Sequence, residues 1–268
     1  GTIESIEAMP PKTMRDYHRR RYSPSNIVLA ATGAVDFEAL VESARRHCGD
    51  WEPTPVPPRR TGGGRRPPGG DTHVEHIVRP TSTLEYVVRL SAGPQGDDDD
   101  RYAAKLLSAI LGDGSGSRLY WALVDTGAAE QATCHHQDFL DAGMFATQLS
   151  CDPEDAEELI GRILEVYLRA SAEGITAAEL EQHRNKLAGR WVLLGERPRR
   201  RLFDVGPEWA HSGTYRSVAD DLRTIEGLSL DDVHRVLGRF PLHAGGTTVL
   251  AGPLEPAPPS RRPHSGTQ

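Results

Sequence analysis

Asn26-Ile27-Val28-Leu29-Ala30-Ala31, closed by Thr32-Gly33-Ala34, decides the fold, because its surroundings recur near the other end of the chain. From Met9 to Val35 the sequence reads as a helix ending in Tyr17-His18-Arg19-Arg20-Arg21-Tyr22, a small turn, and that apolar strand. From Ser229 to Leu254 the order returns: a helix ending in Val236-Leu237-Gly238-Arg239-Phe240, a loop, the strand Thr247-Thr248-Val249-Leu250, then Ala251-Gly252-Pro253. A spacing of about 220 residues is far too long for a solenoid and predicts two copies of one domain. Only a last helix, strand and helix of the first copy fit before Asp50. The chemistry of that first copy is therefore expected upstream of Gly1.

The bulk numbers fit such a chain. With 268 residues it exceeds one average domain, and 37% hydrophobic with 26% charged residues describes a globular protein with enough apolar side chains for a core. A net charge of -7 and a pI near 5.9 argue against nucleic acid as the main partner, since neutralising phosphates requires a basic surface. The basic clusters Arg19-Arg20-Arg21, Arg65-Arg66 and Arg199-Arg200-Arg201 read as solvated faces or linker charge. Cys48, Cys134 and Cys151 are odd in number and lack CxxC spacing, which predicts small buried thiols. No apolar run reaches bilayer length. A chain beginning in mid-domain would also have lost any signal peptide, so the compartment stays open.

Local signals place the elements. Pro10-Pro11 opens a helix, Ser23-Pro24 ends it, and a strand is expected through Val35. Asp36 is the expected N-cap of the next helix, with Phe37, Leu40, Val41 and Ala44 as its buried stripe. Residues 53–70 turn to Pro, Gly and Arg and read as a linker. Strands are expected at Thr72 to Arg79, Leu84 to Ser91, around Ala132 to Gln137, and Met144 to Ser150. Helices are expected at Tyr102 to Leu111 and from Arg118 to Val124, the first behind Asp97-Asp98-Asp99-Asp100, whose charge favours a helix N-terminus. Asp152-Pro153 and the boxes Thr176 to Glu179 and Ser229 to Asp232 open further helices. Residues 255–268 form a polar, Pro-rich tail expected to be disordered. The predicted architecture is α+β: a largely antiparallel sheet with helices on one face. It divides into a remnant at 1–52, the linker, a complete domain at 71–254, and the tail.

Zinc-like motifs fail on geometry. His73-Val74-Glu75-His76 sits in a strand-like stretch, where His73 and Glu75 point one way and His76 the other, whereas zinc hydrolases place two histidines four apart on a helix. Glu179 and His183 do stand four apart on a helix, yet a catalytic zinc takes three protein ligands; they read as an exposed helical pair. A further possibility joins His73, Glu75, His135 and His136 through strand pairing. No serine sits in a G-x-S-x-G elbow. The most distinctive segment is Gly112-Asp113-Gly114-Ser115-Gly116-Ser117-Arg118-Leu119-Tyr120. It lacks the Gly-Lys-Ser/Thr ending of a phosphate loop, and reads either as a flexible turn or as a peptide contact that exposes backbone N–H groups.

Together the stretches Gly1 to Ile6, Tyr22 to Gly33, Ile110 to Tyr120 and Glu179 to Leu194 resemble the insulinase (M16) family of metallopeptidases, which includes the mitochondrial processing peptidases. They occur in the family's order and span nearly the whole chain outside linker and tail. The resemblance implies two similar α+β domains per half, with the HxxEH zinc motif in the first domain and therefore upstream of Gly1. It implies no catalytic or metal residue and no cofactor in this chain, zinc belonging to the missing domain. Its partners would be a peptide substrate and a zinc-bearing half, with neither nucleic acid nor membrane. Peptide contact would fall on Gly112, Gly114, Ser115, Gly116, Ser117 and Arg118. Where peptide-cleaving members often carry Leu-Arg-Glu-x-x-Gly-x-x-Tyr, this chain has Val124 in place of the arginine, losing a bidentate fork. That departure supports the alternative of a non-catalytic partner or scaffold that binds peptides or a peptidase half.

Overall fold

The computed structural model describes residues 1–56 and 71–254. Residues 57–70 of the expected linker and the expected tail 255–268 lie outside the described residues. The elements are α1 (Ile3–Glu7), α2 (Pro11–Arg21), α3 (Phe37–Cys48), β1 (Thr72–Val78), β2 (Glu85–Gly93), α4 (Arg101–Gly112), β3 (Gln131–Asp138) and β4 (Gly143–Cys151). They continue with α5 (Ala156–Glu173), α6 (Ala177–Gly195), α7 (Pro198–Ser212), α8 (Val218–Glu226), α9 (Leu230–Arg239) and β5 (Gly246–Gly252). The described residues form two compact units, one of residues 1–56 with 190–221, the other of 71–189 with 222–254.

The second unit is the expected α+β layer. Its sheet runs β1-β5-β2-β4-β3, with β1 parallel to β5 and every other pair antiparallel. Period-two alternation separates the faces: Glu85, Val87, Arg89 and Ser91 are buried on β2, while Tyr86, Val88 and Leu90 between them are exposed. Helices α4, α5 and α9 pack together over the buried side. Nearly all of α4 from Tyr102 to Gly112 is buried, as an apolar surface on all sides demands.

One level of this core is polar. Cys134 on β3, Thr147 on β4, Arg89 on β2 and Thr248 on β5 lie opposite one another in succession. The Thr147 and Tyr167 hydroxyls hydrogen bond at 2.6 Å, and Arg89 donates to Thr248 Oγ1 at 3.2 Å and to the carbonyls of Leu242 and Gly245. Burial pushes the Cys134 thiol up to about 11. Cys134 and Cys151 are the buried thiols expected, but Cys48, at the end of α3, is exposed.

The first unit departs from expectation at the deciding stretch. Ile27 is extended, at φ -125° and ψ 133°, yet no described residue pairs with Asn26 to Val35 as a strand. A strand needs a neighbour for its N–H and C=O groups. This segment instead lies along α7: Thr32 Oγ1 donates to Pro198 O at 2.7 Å, and Gly206 faces the Ala30 side chain. Ile27, Val28 and Leu29 stay exposed. Asp36 does cap α3, accepting from Ala39 N at 3.0 Å. The stripe behind it is shallower than expected, with Phe37 exposed and Leu40, Val41 and Ala44 half-buried. Buried Ser23 clasps the other end, donating to Thr54 O at 3.1 Å and accepting from Thr54 N at 3.0 Å.

Candidate functional site

The glycine segment joins α4 to a π-helical turn at Tyr120–Val124. Each small residue in it has its own reason. Gly112 is buried so closely against β3 that a Cβ there would meet Cys134 N at 2.3 Å. Gly114 (φ 63°) and Gly116 (φ 92°) are left-handed, a conformation L side chains rarely adopt. Ser117 is buried, its hydroxyl donating to Gly114 O at 2.8 Å and accepting from Tyr120 N at 3.3 Å. Only Gly114 and Ser115 of the six candidate residues are exposed; Gly116 and Arg118 are half-buried.

The loop is pinned, not free. Arg118 forms a fork with Glu179, Nε to Oε1 at 2.7 Å and Nη2 to Oε2 at 2.9 Å, and Nη2 also donates to Gly174 O at 2.8 Å. Its cation thus meets the C-terminus of α5 while Glu179 occupies the first turn of α6, both favourable to the helix dipoles. Thr176 adds its N–H at 2.9 Å and its hydroxyl at 2.8 Å to Glu179. Burial pushes the Glu179 carboxyl up, but Arg118 and Thr176 outweigh it and hold it at about 2. One turn and more along α6, Lys186 Nζ donates to Asp113 O at 2.8 Å and Ser115 O at 3.3 Å and lies 3.3 Å from the Asp113 carboxylate. A Cβ on Gly116 would meet Gln182 Nε2 at 2.9 Å.

The remaining candidates disperse. His73 and Glu75 share one side of β1, 4.0 Å apart, and β1 and β3 are opposite edges of the sheet, so His73 and Glu75 cannot meet His135 and His136. His135 is exposed and His136 buried, its Nε2–H donating to Pro94 O at 2.9 Å. Burial lowers the His136 imidazole to about 4. The exposed pair expected on α6 is corrected: His183 is only 1% exposed, on the inward stripe with Leu180 and Leu187, and its Nδ1–H donates to Glu179 O at 2.9 Å. The donors present do not fit a catalytic zinc, which takes three protein ligands. Among the described residues no three His, Cys, Asp or Glu stand together to hold a metal. The aspartate run serves α9: Arg235 and Arg239 reach across to Asp100, and Arg239 pairs with Asp98 at 2.9 Å. No described helix is long and apolar enough to cross a membrane.

Over residues 9–187 the sequence matches the family model described as Peptidase M16 inactive domain, and the chain belongs to that family. An uncharacterized zinc protease of Mycobacterium tuberculosis is 28% identical over 254 residues, covering 93% of this chain and 57% of that protein. The mitochondrial-processing peptidase subunit beta of Saccharomyces cerevisiae is 23% identical over 251 residues, covering 87% and 53%. The chain thus spans little more than half the length of the curated relatives it matches. Among solved structures, the peptidase M16 inactive domain from Pseudomonas fluorescens superposes with a TM-score of 0.82 at 21% identity, covering 97% of this chain and 61% of that one. A Helicobacter pylori protease gives 0.80 at 21% identity, covering 96% and 62%. Both likenesses concern the fold.

Proposed function

We propose that this chain is the portion of an M16-type zinc peptidase that carries no zinc, lining a peptide chamber and touching extended peptide through the apex of the 112–118 loop. The family match over residues 9–187 carries this reading. Residues 1–52 would be the end of a catalytic-type domain and 71–254 the complete second domain, with the metal supplied by a zinc-bearing half. Gly114 and Ser115 are the exposed contact points, whereas Arg118 serves as an anchor, its donors being engaged by Glu179 and Gly174. The purified chain should show neither stoichiometric zinc nor peptide cleavage, and chelator-sensitive turnover by the chain alone would refute the proposal.

Val124 favours a second reading, a non-catalytic partner or scaffold. It is half-buried at the end of the π-helical turn and offers no donor where peptide-cleaving relatives often have a guanidinium. Mixing the chain with its zinc-bearing half separates the two: turnover of peptide supports the peptidase portion, and binding without turnover supports the scaffold.

A further inference from the structure

The geometry points to Lys186 as a positioning residue, one that holds the N–H groups of Gly114 and Gly116 outward, beside that of Ser115, which Ser117 holds, for the carbonyl oxygens of an extended peptide. This rests on the peptide-contact reading above and adds how the loop would make that contact. Three successive carbonyls are turned inward: Asp113 O and Ser115 O accept from Lys186 Nζ, and Gly114 O accepts from Ser117 Oγ. In a trans peptide unit the C=O and the following N–H point to opposite sides of the chain. The N–H groups of Gly114, Ser115 and Gly116 are therefore directed away from Lys186 and Ser117. None of the three donates to a partner among the described residues.

Successive N–H groups on one concave turn attract an oxygen carrying partial negative charge, and left-handed residues are what allow such a turn. Gly114 is exposed and has open space where a side chain would stand. Recognition of this kind reads main-chain oxygens and is indifferent to peptide sequence. Without the ammonium, Asp113 O and Ser115 O would lose their common donor and turn toward water, and their peptide planes would carry the N–H groups out of alignment. The Arg118–Glu179 fork fixes the far end of the loop but touches neither carbonyl.

The test uses the full chain and an N-acetylated, C-terminally amidated extended peptide, with amide resonances of the loop and the dissociation constant as readouts. In the wild type, peptide should shift the amides of Gly114, Ser115 and Gly116. In Lys186→Met those amides should move even without peptide, and affinity should fall about tenfold, the loss of roughly one charge-assisted hydrogen-bond arrangement. Resonances of the sheet should stay in place. Lys186→Arg, which keeps donors at that position, should recover much of the affinity, a rescue that a general loss of folding would not show. Wild-type shifts with unchanged affinity in Lys186→Met overturn the role of Lys186 alone. Absence of any wild-type shift at these amides overturns the peptide-contact reading and this inference with it.

Discussion

At the scale of single residues, close approach and charge pairing decide what each position tolerates. Gly112 leaves no room for even a methyl group, because its Cβ would overlap the backbone of Cys134. Gly112→Ala should destabilise the chain by about 3 kcal/mol, at the upper end of ordinary overpacking, read as a shift in the urea midpoint. An unchanged midpoint would mean that α4 can lift from β3 without cost. The need for glycine here was visible in the sequence as an unusual cluster; the reason was not, since it lies in a strand more than twenty residues away. Arg118 shows the same limit. Its position beside the glycines suggests a free cation, and only the fold reveals that Glu179 and Gly174 engage it.

Between elements, ion pairs and caps do different kinds of work. The capping boxes at Thr176 and Ser229 are present in the structure as their spacing predicts, because a cap joins residues three apart and needs no tertiary partner. The aspartates before α4 suit the positive end of its dipole, yet Asp100 makes no side-chain cap and instead receives Arg235 and Arg239 from α9. Asp100→Ala should weaken the α4 to α9 junction by about 2 kcal/mol in urea unfolding. That lies below the usual range for a broken buried pair, since both arginines are half-exposed and can turn to water. A loss no greater than for an exposed aspartate would show that the pairing contributes nothing. On α6, Glu179, Gln182 and Lys186 recur at helical spacing on the side that meets the loop. Their periodicity was legible, but it could not say what they face. Ile27 illustrates the converse: composition gives an extended backbone, whereas ladder formation depends on neighbours.

For the molecule as a whole, buried groups tie stability to pH. Because burial lowers His136 from its ordinary 6.5 to about 4, the unfolded chain takes up a proton within that window that the folded chain refuses. Stability from this group is present above about pH 6.5 and falls by up to about 1.4 kcal/mol per pH unit on acidification, levelling off below about pH 4. Glu85 works in the opposite sense, since burial raises its carboxyl and the folded state prefers it protonated. His136→Gln should flatten the acid slope between pH 6.5 and 4, measured by thermal unfolding across that range; parallel slopes in variant and wild type would refute the assignment. The polar level of the core has a different consequence for assembly. Sliding β4 by a single position would swing Thr147 to the open side of the sheet and take from the buried Tyr167 hydroxyl its hydrogen-bond partner, while Arg89 keeps its bonds to Thr248, Leu242 and Gly245. Misaligned sheets are thereby penalised before they can close, and this domain has one way to zip up.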